Sequence, residues 1–219
     1  MKLAYTTIGQ AASDEFVVQK SRFIGHACPV QSEEEAKAFV ARIRAAYKDA
    51  THNCYAYIVG ENAGIMRYSD DGEPGGTAGL PMIELLKKME LVNCAVVVTR
   101  YFGGILLGAG GLVRAYRKGL SIAVKAAGVV LMQATYQLHV RMDYGLYARF
   151  EKKIAGLPVL HQGTEFSDVV SLTLYVLEQD LEAVKTSILN FCDAKVDISH
   201  GVSFFHPWPS SKDISDESI

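Results

Sequence analysis

The chain has 219 residues, 49% apolar and 21% charged, enough to build one large core or two small ones and too apolar for a disordered chain. A formal net charge of -2 excludes a uniformly basic nucleic-acid binder while leaving room for a local basic face. No stretch approaches the ~18 consecutive apolar residues of a spanning helix, so no membrane association is expected.

Charge is unevenly divided. Up to Gly128 there are 15 Lys and Arg against 12 Asp and Glu, a balance of +3; from Val129 onward there are 7 against 12, a balance of -5. A polyanion would prefer the first half. The four cysteines, Cys28, Cys54, Cys94 and Cys192, are widely spaced and match no paired metal pattern. With no export signal in MKLAYTTIGQ, they read as free thiols of a reducing cytoplasm.

Taken in order, Glu15–Val30 has strand composition with a turn near Lys20-Ser21. Ser32 then precedes Glu33, Glu34 and Glu35 and an apolar rhythm at Ala36, Phe39, Val40 and Ile43. That pattern predicts a capped helix ending near Lys48, its carboxylates placed where the helix dipole favours them. Cys54–Val59 reads as a strand with a hairpin partner at Gly64–Tyr68. A helix is expected from Thr77 or Ala78 to Met89, capped by Thr77, with Pro81 in its first turn. Cys94–Thr99 is apolar on both faces and predicts a buried strand. Gly103-Gly104 and Gly110-Gly111 break the chain before a helix from about Leu112 to Ala127. The remainder reads strand (130–141), helix (144–155), strand (159–166), strand (169–177), helix (180–191), strand (195–204), the βαββαβ order of a ferredoxin-like plait. The expected organisation is therefore an α+β chain with domains at 1–128 and 129–205 and a loose tail at 206–219.

Two glycine-rich loops concentrate the chemistry. In YSDDGEPGGTAGLP, Asp70, Asp71 and Glu73 could begin the oxygen shell of a hard cation, but the spacing matches no EF-hand and further ligands are missing. Asp side chains also close turns on backbone amides, and Gly72 and Pro74 direct the chain. Gly75, Gly76 and Thr77 would expose amides to an anion at a helix start. No Walker loop is present, and Gly108-Ala-Gly110-Gly111 lacks the last glycine and distal acid of a dinucleotide fingerprint. No metal or cofactor is expected.

The second loop, RYFGGILLGAGGLVRAY, offers Arg100 and Arg114 as phosphate donors and Tyr101 and Phe102 as stacking or packing groups. Gly103, Gly104, Gly110 and Gly111 allow close approach, and Arg114 shares a helical face with Arg117 and Lys118. The competing reading pairs Arg100 or Arg114 with Asp70, Asp71 or Glu73, which would lock one loop against the other. Cys54, His52, Ser69 and Asp70 are the raw material for covalent catalysis, but Cys54 begins an aromatic strand and no GxSxG elbow exists.

Lys20-Ser-Arg22-Phe, His52-Asn-Cys, SDDGEP with Gly76-Thr-Ala-Gly79, and TRYFGG with Leu107-Gly108 and GGLVRAY resemble the signatures of the IMPACT family, including its bacterial YigZ-like branch. These motifs span most of residues 17–125, and the second half resembles the small C-terminal domain of the bacterial members through Asp143-Tyr144 and Gly145. The resemblance implies a ribosomal-protein-like α/β N-terminal domain, akin to domain IV of the ribosomal translocase factor, followed by a plait akin to another domain of that factor. It also implies a link to translation. The eukaryotic relatives regulate an amino-acid-starvation kinase by competing for its activator protein and carry a different accessory domain, absent from this sequence, so that partnership does not transfer. The expectation is a nonenzymatic, cytoplasmic, RNA- or ribosome-associated protein involved in translation regulation, with a protein partner possible. It would bind phosphates through Lys20, Arg22, Arg100, Arg114 and the glycine-rich loops. The alternatives are a small-molecule or metal-dependent enzyme using the acidic loop, and a protein-interaction module.

Overall fold

In a computed structural model, residues 3–208 are described, and they form an α+β molecule with two antiparallel sheets and five α-helices. The chain divides into two compact units, Ala4–Leu131 and Met132–Pro207.

The first unit opens with β1 (Ala4–Ile8), whose Thr6 bridges Leu91. Its sheet has the order β2-β3-β6-β4-β5. β2 (Ala12–Val18) and β3 (Ser21–Pro29) form a hairpin whose turn residues Gln19 and Lys20 both take positive φ. β4 (His52–Val59) and β5 (Ile65–Ser69) form a second hairpin, and β6 (Cys94–Tyr101) fills the centre, buried along all but its last residue.

Strand alternation sends successive β6 side chains to opposite faces. Ala95 and Val97 pack with Ala36, Phe39 and Val40 of α1 (Glu33–Ala46). On the other face Val98 meets α3 (Gly108–Ala127), joined there by α2 (Gly79–Lys88). That second contact is close: a Cβ on Gly25 would lie 2.0 Å from the Gly119 carbonyl oxygen, so a glycine stands where strand and helix backbones meet. α1 starts as expected, with the Ser32 hydroxyl accepting from the Glu35 amide at 3.1 Å.

Two helix starts differ from the sequence reading. Thr77 does not cap α2; its hydroxyl donates to the Pro74 carbonyl at 2.7 Å. The cap comes from Asp70, whose Oδ1 accepts from the amides of Ala78 (3.0 Å) and Gly79 (2.8 Å). Helix α3 begins at Gly108, four residues before the expected Leu112: Gly108 turns the chain in with a positive φ of 69°, and Gly110 and Gly111 lie within the helix. Gly111 sits tightly there: a Cβ would lie 3.0 Å from that of Leu107, which would have to give way by a few tenths of an ångström.

The second unit is β7 (Val129–Met142, entering from the first), α4 (Tyr144–Ile154), β8 (Val159–Phe166), β9 (Val170–Leu177), α5 (Leu181–Phe191) and β10 (Asp197–His200). The order β10-β7-β9-β8 is that of the expected plait. Asp143 caps α4, accepting from Leu146 at 2.7 Å, and Leu138, Val140, Phe150, Leu172, Leu174 and Ile188 fill the core. The last expected strand is split: after Gly201–Ser203, β11 (Phe204–Pro207) resumes pairing with Thr135–Met132 of β7. His206 and Pro207, expected to start the tail, therefore belong to a strand; residues 209–219 of that tail lie outside the described residues.

Candidate functional site

The acidic loop is turned inward and each carboxylate is engaged. Asp70 accepts three amides, Gly76 at Oδ2 (2.9 Å) and Ala78 and Gly79 at Oδ1, so the loop is folded around it. Asp71 accepts from Arg44 through Oδ1 and from the Asn53 amide through Oδ2, both at 2.6 Å. Glu73, 7% exposed, receives the Arg100 guanidinium and the Tyr116 hydroxyl on Oε1, each at 2.7 Å. Among the described residues no group of three or more His, Cys, Asp or Glu side chains could hold a metal ion.

Arg100 is 5% exposed and lies over the rings of Phe23 and Phe102, 5.4 Å from each centroid. The sequence reading had it as a phosphate donor or as the partner of an acidic residue; the second arrangement is the one found, and the two glycine-rich loops are locked together through Arg100–Glu73. Tyr116, which sequence reasoning did not single out, belongs to the same network. Burial first, then the neighbouring Cys54 and Glu73, push its phenol far above the ordinary range, so the hydroxyl stays a donor. Burial likewise raises the Cys54 thiol, which donates to the Asp70 carbonyl at 2.9 Å. A thiol held protonated in this way is a poor nucleophile.

His52 stands at the start of β4. Its Nδ1 lies 2.8 Å from the Asp71 carbonyl, which can only accept, so Nδ1 carries the proton and Nε2 faces Glu73 Oε2 at 3.9 Å. Above this network lies a pocket of about 350 Å3, with Thr51, His52, Glu73 and Arg100 on its polar side and Pro74, Phe102, Leu106 and Leu112 on its apolar side. Gly108 and Ala109 at the start of α3 complete the wall, and the N-cap residue Leu107 makes no side-chain cap there. Phe102 is 44% exposed and Leu106 84% exposed, so the rim is apolar and open.

The other candidates separate by strand parity. Arg22 and Tyr101 are cross-strand partners on the α1 side of the sheet, opposite to Arg100 and Phe102. Arg22 pairs with Glu15, and Tyr101 donates to Asp49 at 3.1 Å. Lys20 is exposed at the β2–β3 turn, against whose backbone Gly103 is packed, while Gly104 takes positive φ in open space. Arg114, Arg117 and Lys118 are exposed along α3. Arg117 makes only a 3.8 Å pair with Glu84, and Lys118 lies 4.5 Å over the Phe16 ring. Gly75 is exposed in the first loop, where its side would be open to solvent, but Gly76 and Thr77 are tied to Asp70 and Pro74. Thus the start of α3, Phe102, Arg114 and Lys118 lie on the α3 side, Arg22 and Tyr101 do not, and Arg100 sits beneath.

A sequence model described as the Impact N-terminal domain matches residues 19–124, which contain both loops and the pocket. IMPACT family member YvyE of Bacillus subtilis is 41% identical over 198 residues, covering 90% of this chain and 91% of that protein. An IMPACT family member of Haemophilus influenzae is 36% identical over 176 residues, covering 78% and 84%. A solved structure described as that of "an hypothetical protein" is 28% identical, with a TM-score of 0.59 and coverage of 90% and 97%. With matches over nearly its whole length and the family's N-terminal domain across both loops, the chain belongs to the IMPACT family.

Proposed function

We propose that the protein is a nonenzymatic RNA-binding factor that associates with the ribosome and acts in translation regulation, contacting phosphates along the exposed face of the first half of α3. The observation that carries this reading is the internal neutralisation of the acidic loop. Had Asp70, Asp71 and Glu73 faced solvent, they would repel a phosphate backbone; each is instead held by amides, by Arg44 or by Arg100 and Tyr116. What faces outward beside them is cationic and aromatic: Arg114 and Lys118 on α3, Lys20 on the adjoining turn, and the half-exposed ring of Phe102. Cations follow a backbone and an exposed aromatic accepts an unstacked base, the combination that binds single-stranded RNA. The +3 balance of the first half points the same way.

Arg100 has no part in this surface, and replacing it would test folding. The informative variant is Arg114→Ala/Lys118→Ala, two exposed side chains. Purified wild type is expected to pellet with ribosomes saturably at low salt, and the variant, folded by circular dichroism, to bind at least tenfold more weakly. Wild type left in the supernatant at low salt would overturn the proposal. The apolar rim of Phe102, Ile105 and Leu106 also fits a protein partner; binding that ignores salt and both cations would favour that reading.

A further inference from the structure

The pocket beside this surface has a polar floor that phosphate contacts do not use. Both hydrogen bonds that Glu73 receives, from Arg100 and Tyr116, fall on Oε1. Among the described residues no hydrogen bond reaches Oε2, which faces His52 Nε2 at 3.9 Å, too far for one. The Glu73 side chain is 3% exposed, and a carboxylate oxygen so withdrawn from water without a donor is uncommon. His52 keeps its proton on Nδ1, against the Asp71 carbonyl, so Nε2 offers a lone pair. Both residues line the recess of about 350 Å3, whose floor therefore presents two adjacent acceptors. That volume is at the small end of the ~300–1,000 Å3 typical of small-molecule sites.

Spacing and charge narrow the occupant. A nitrogen about 2.9 Å from both acceptors would see them roughly 85° apart, which the two hydrogens of an amino group can serve and the single hydrogen of a hydroxyl cannot. Arg100 already neutralises Glu73 and is itself buried, so an ammonium or guanidinium would be set beside a buried cation. A neutral amino group meets neither objection. Around the floor, Pro74, Phe102, Leu106 and Leu112 form an apolar wall. The Phe102 amide donates to Thr51 Oγ1 at 3.0 Å, which fixes the backbone that carries the ring. A flat ring bearing an amino group matches both parts of the recess.

We infer that this pocket binds a nucleobase with an exocyclic amino group, as in adenine or cytosine. The amino nitrogen donates to Glu73 Oε2 and His52 Nε2, and the ring lies against Phe102. Hypoxanthine and uracil carry a carbonyl oxygen in place of that group and would turn an acceptor toward two acceptors. The inference deepens the RNA reading by giving its surface a base preference, and it rests on that reading for the base being part of a chain; a free nucleoside offers the same group.

The test compares adenosine with inosine, titrated calorimetrically into the full chain. The two differ by the exchange of the amino group for a carbonyl, so the comparison decides on the wild-type protein alone. Adenosine is expected to bind saturably and at least tenfold more tightly than inosine, because a site built to bond an N–H is left unpaired by an analogue that lacks it. Cytidine should exceed uridine in the same way. His52→Phe keeps a ring and removes one acceptor; once shown to be folded by circular dichroism, it should bring adenosine to within about threefold of inosine. Phe102→Ala, at an exposed position, should weaken both nucleosides and leave their ratio unchanged. Adenosine that does not bind up to its solubility limit, inosine that binds as tightly, or a folded His52→Phe with the wild-type ratio would each overturn the inference. Single-stranded oligoadenylate tested against oligouridylate identifies the source. A tenfold preference for oligoadenylate assigns the pocket to RNA, and equal binding of the two, with adenosine still preferred to inosine, assigns it to free nucleosides. Ribosome pelleting without a preference for adenosine removes the pocket inference alone, and that preference without pelleting removes the RNA-surface reading alone.

Discussion

Glu73 is held among Arg100, Tyr116 and His52, and its burial makes it costly to disturb. Removing one partner of a buried ion pair leaves the other charge without compensation, which typically costs about 3–5 kcal/mol. Glu73→Gln is isosteric, so its expected loss of about 3 kcal/mol in urea unfolding reports the charge and not a cavity; a loss below ~1 kcal/mol would mean that Arg100 finds other compensation. His26 supplies a pH dependence. Burial pushes it down from 6.5 to about 4, with Nδ1 on Ser13 at 2.8 Å, Nε2 without a partner among the described residues and the ring against Tyr47. The unfolded chain therefore takes up a proton between those values while the folded chain does not. Stability from this residue is fully present above about pH 6.5 and is lost as pH falls toward 4. Comparing wild type with His26→Phe, the difference in unfolding free energy should change by roughly 1–3 kcal/mol between pH 7 and 4.5. Parallel pH profiles would show that His26 takes up its proton as readily in the folded chain as in the unfolded one. At this scale the sequence displayed the groups without their partners. Three carboxylates in four residues are visible on inspection, but Arg44, Arg100 and Tyr116 reach them across 27, 27 and 43 residues, and only folding brings such side chains together.

Among the elements, periodicity carried most of the information. The buried strand β6, apolar on both faces, and the Ser32 cap of α1 follow local rules and are found where those rules put them. Local rules failed where a distant residue took over. The α2 cap is an aspartate eight and nine residues upstream of the amides it holds, and α3 starts among glycines because propensity is a weak prior against tertiary packing. That early start forms the pocket wall, so a shift of four residues separates an anonymous loop from a candidate site. The close approach of β3 to α3 gives a sharp test. A methyl group on Gly25 would meet the Gly119 carbonyl at 2.0 Å, and backbone cannot swing aside as a side chain can. Gly25→Ala is expected to cost about 3 kcal/mol or more, read as a lower thermal midpoint, since overpacking a tight core typically costs ~1–3 kcal/mol. An unchanged midpoint would contradict so tight a helix–strand contact. Gly64→Ala, where nothing lies within 4 Å, is the control.

For the whole molecule, the βαββαβ order was legible because each element is short, periodic and bounded by turn residues, as at Gly156-Leu-Pro158. Family membership was legible from the motifs that build the two loops. The arrangement of charge was not. A balance of +3 in the first half says nothing about where each cation points; Arg100 is buried on Glu73, Arg22 is exposed and paired with Glu15, and Arg114 is exposed on α3. The account rests on Arg114 and Lys118 acting as phosphate contacts along the first half of α3, and salt dependence tests that most directly. Binding to a single-stranded RNA should weaken linearly in log–log form as salt rises. Each lost phosphate contact should flatten the slope by about 0.7, so Arg114→Ala/Lys118→Ala should flatten it by roughly 1.4. A wild-type slope near zero, or a variant whose slope equals that of wild type, would contradict the account.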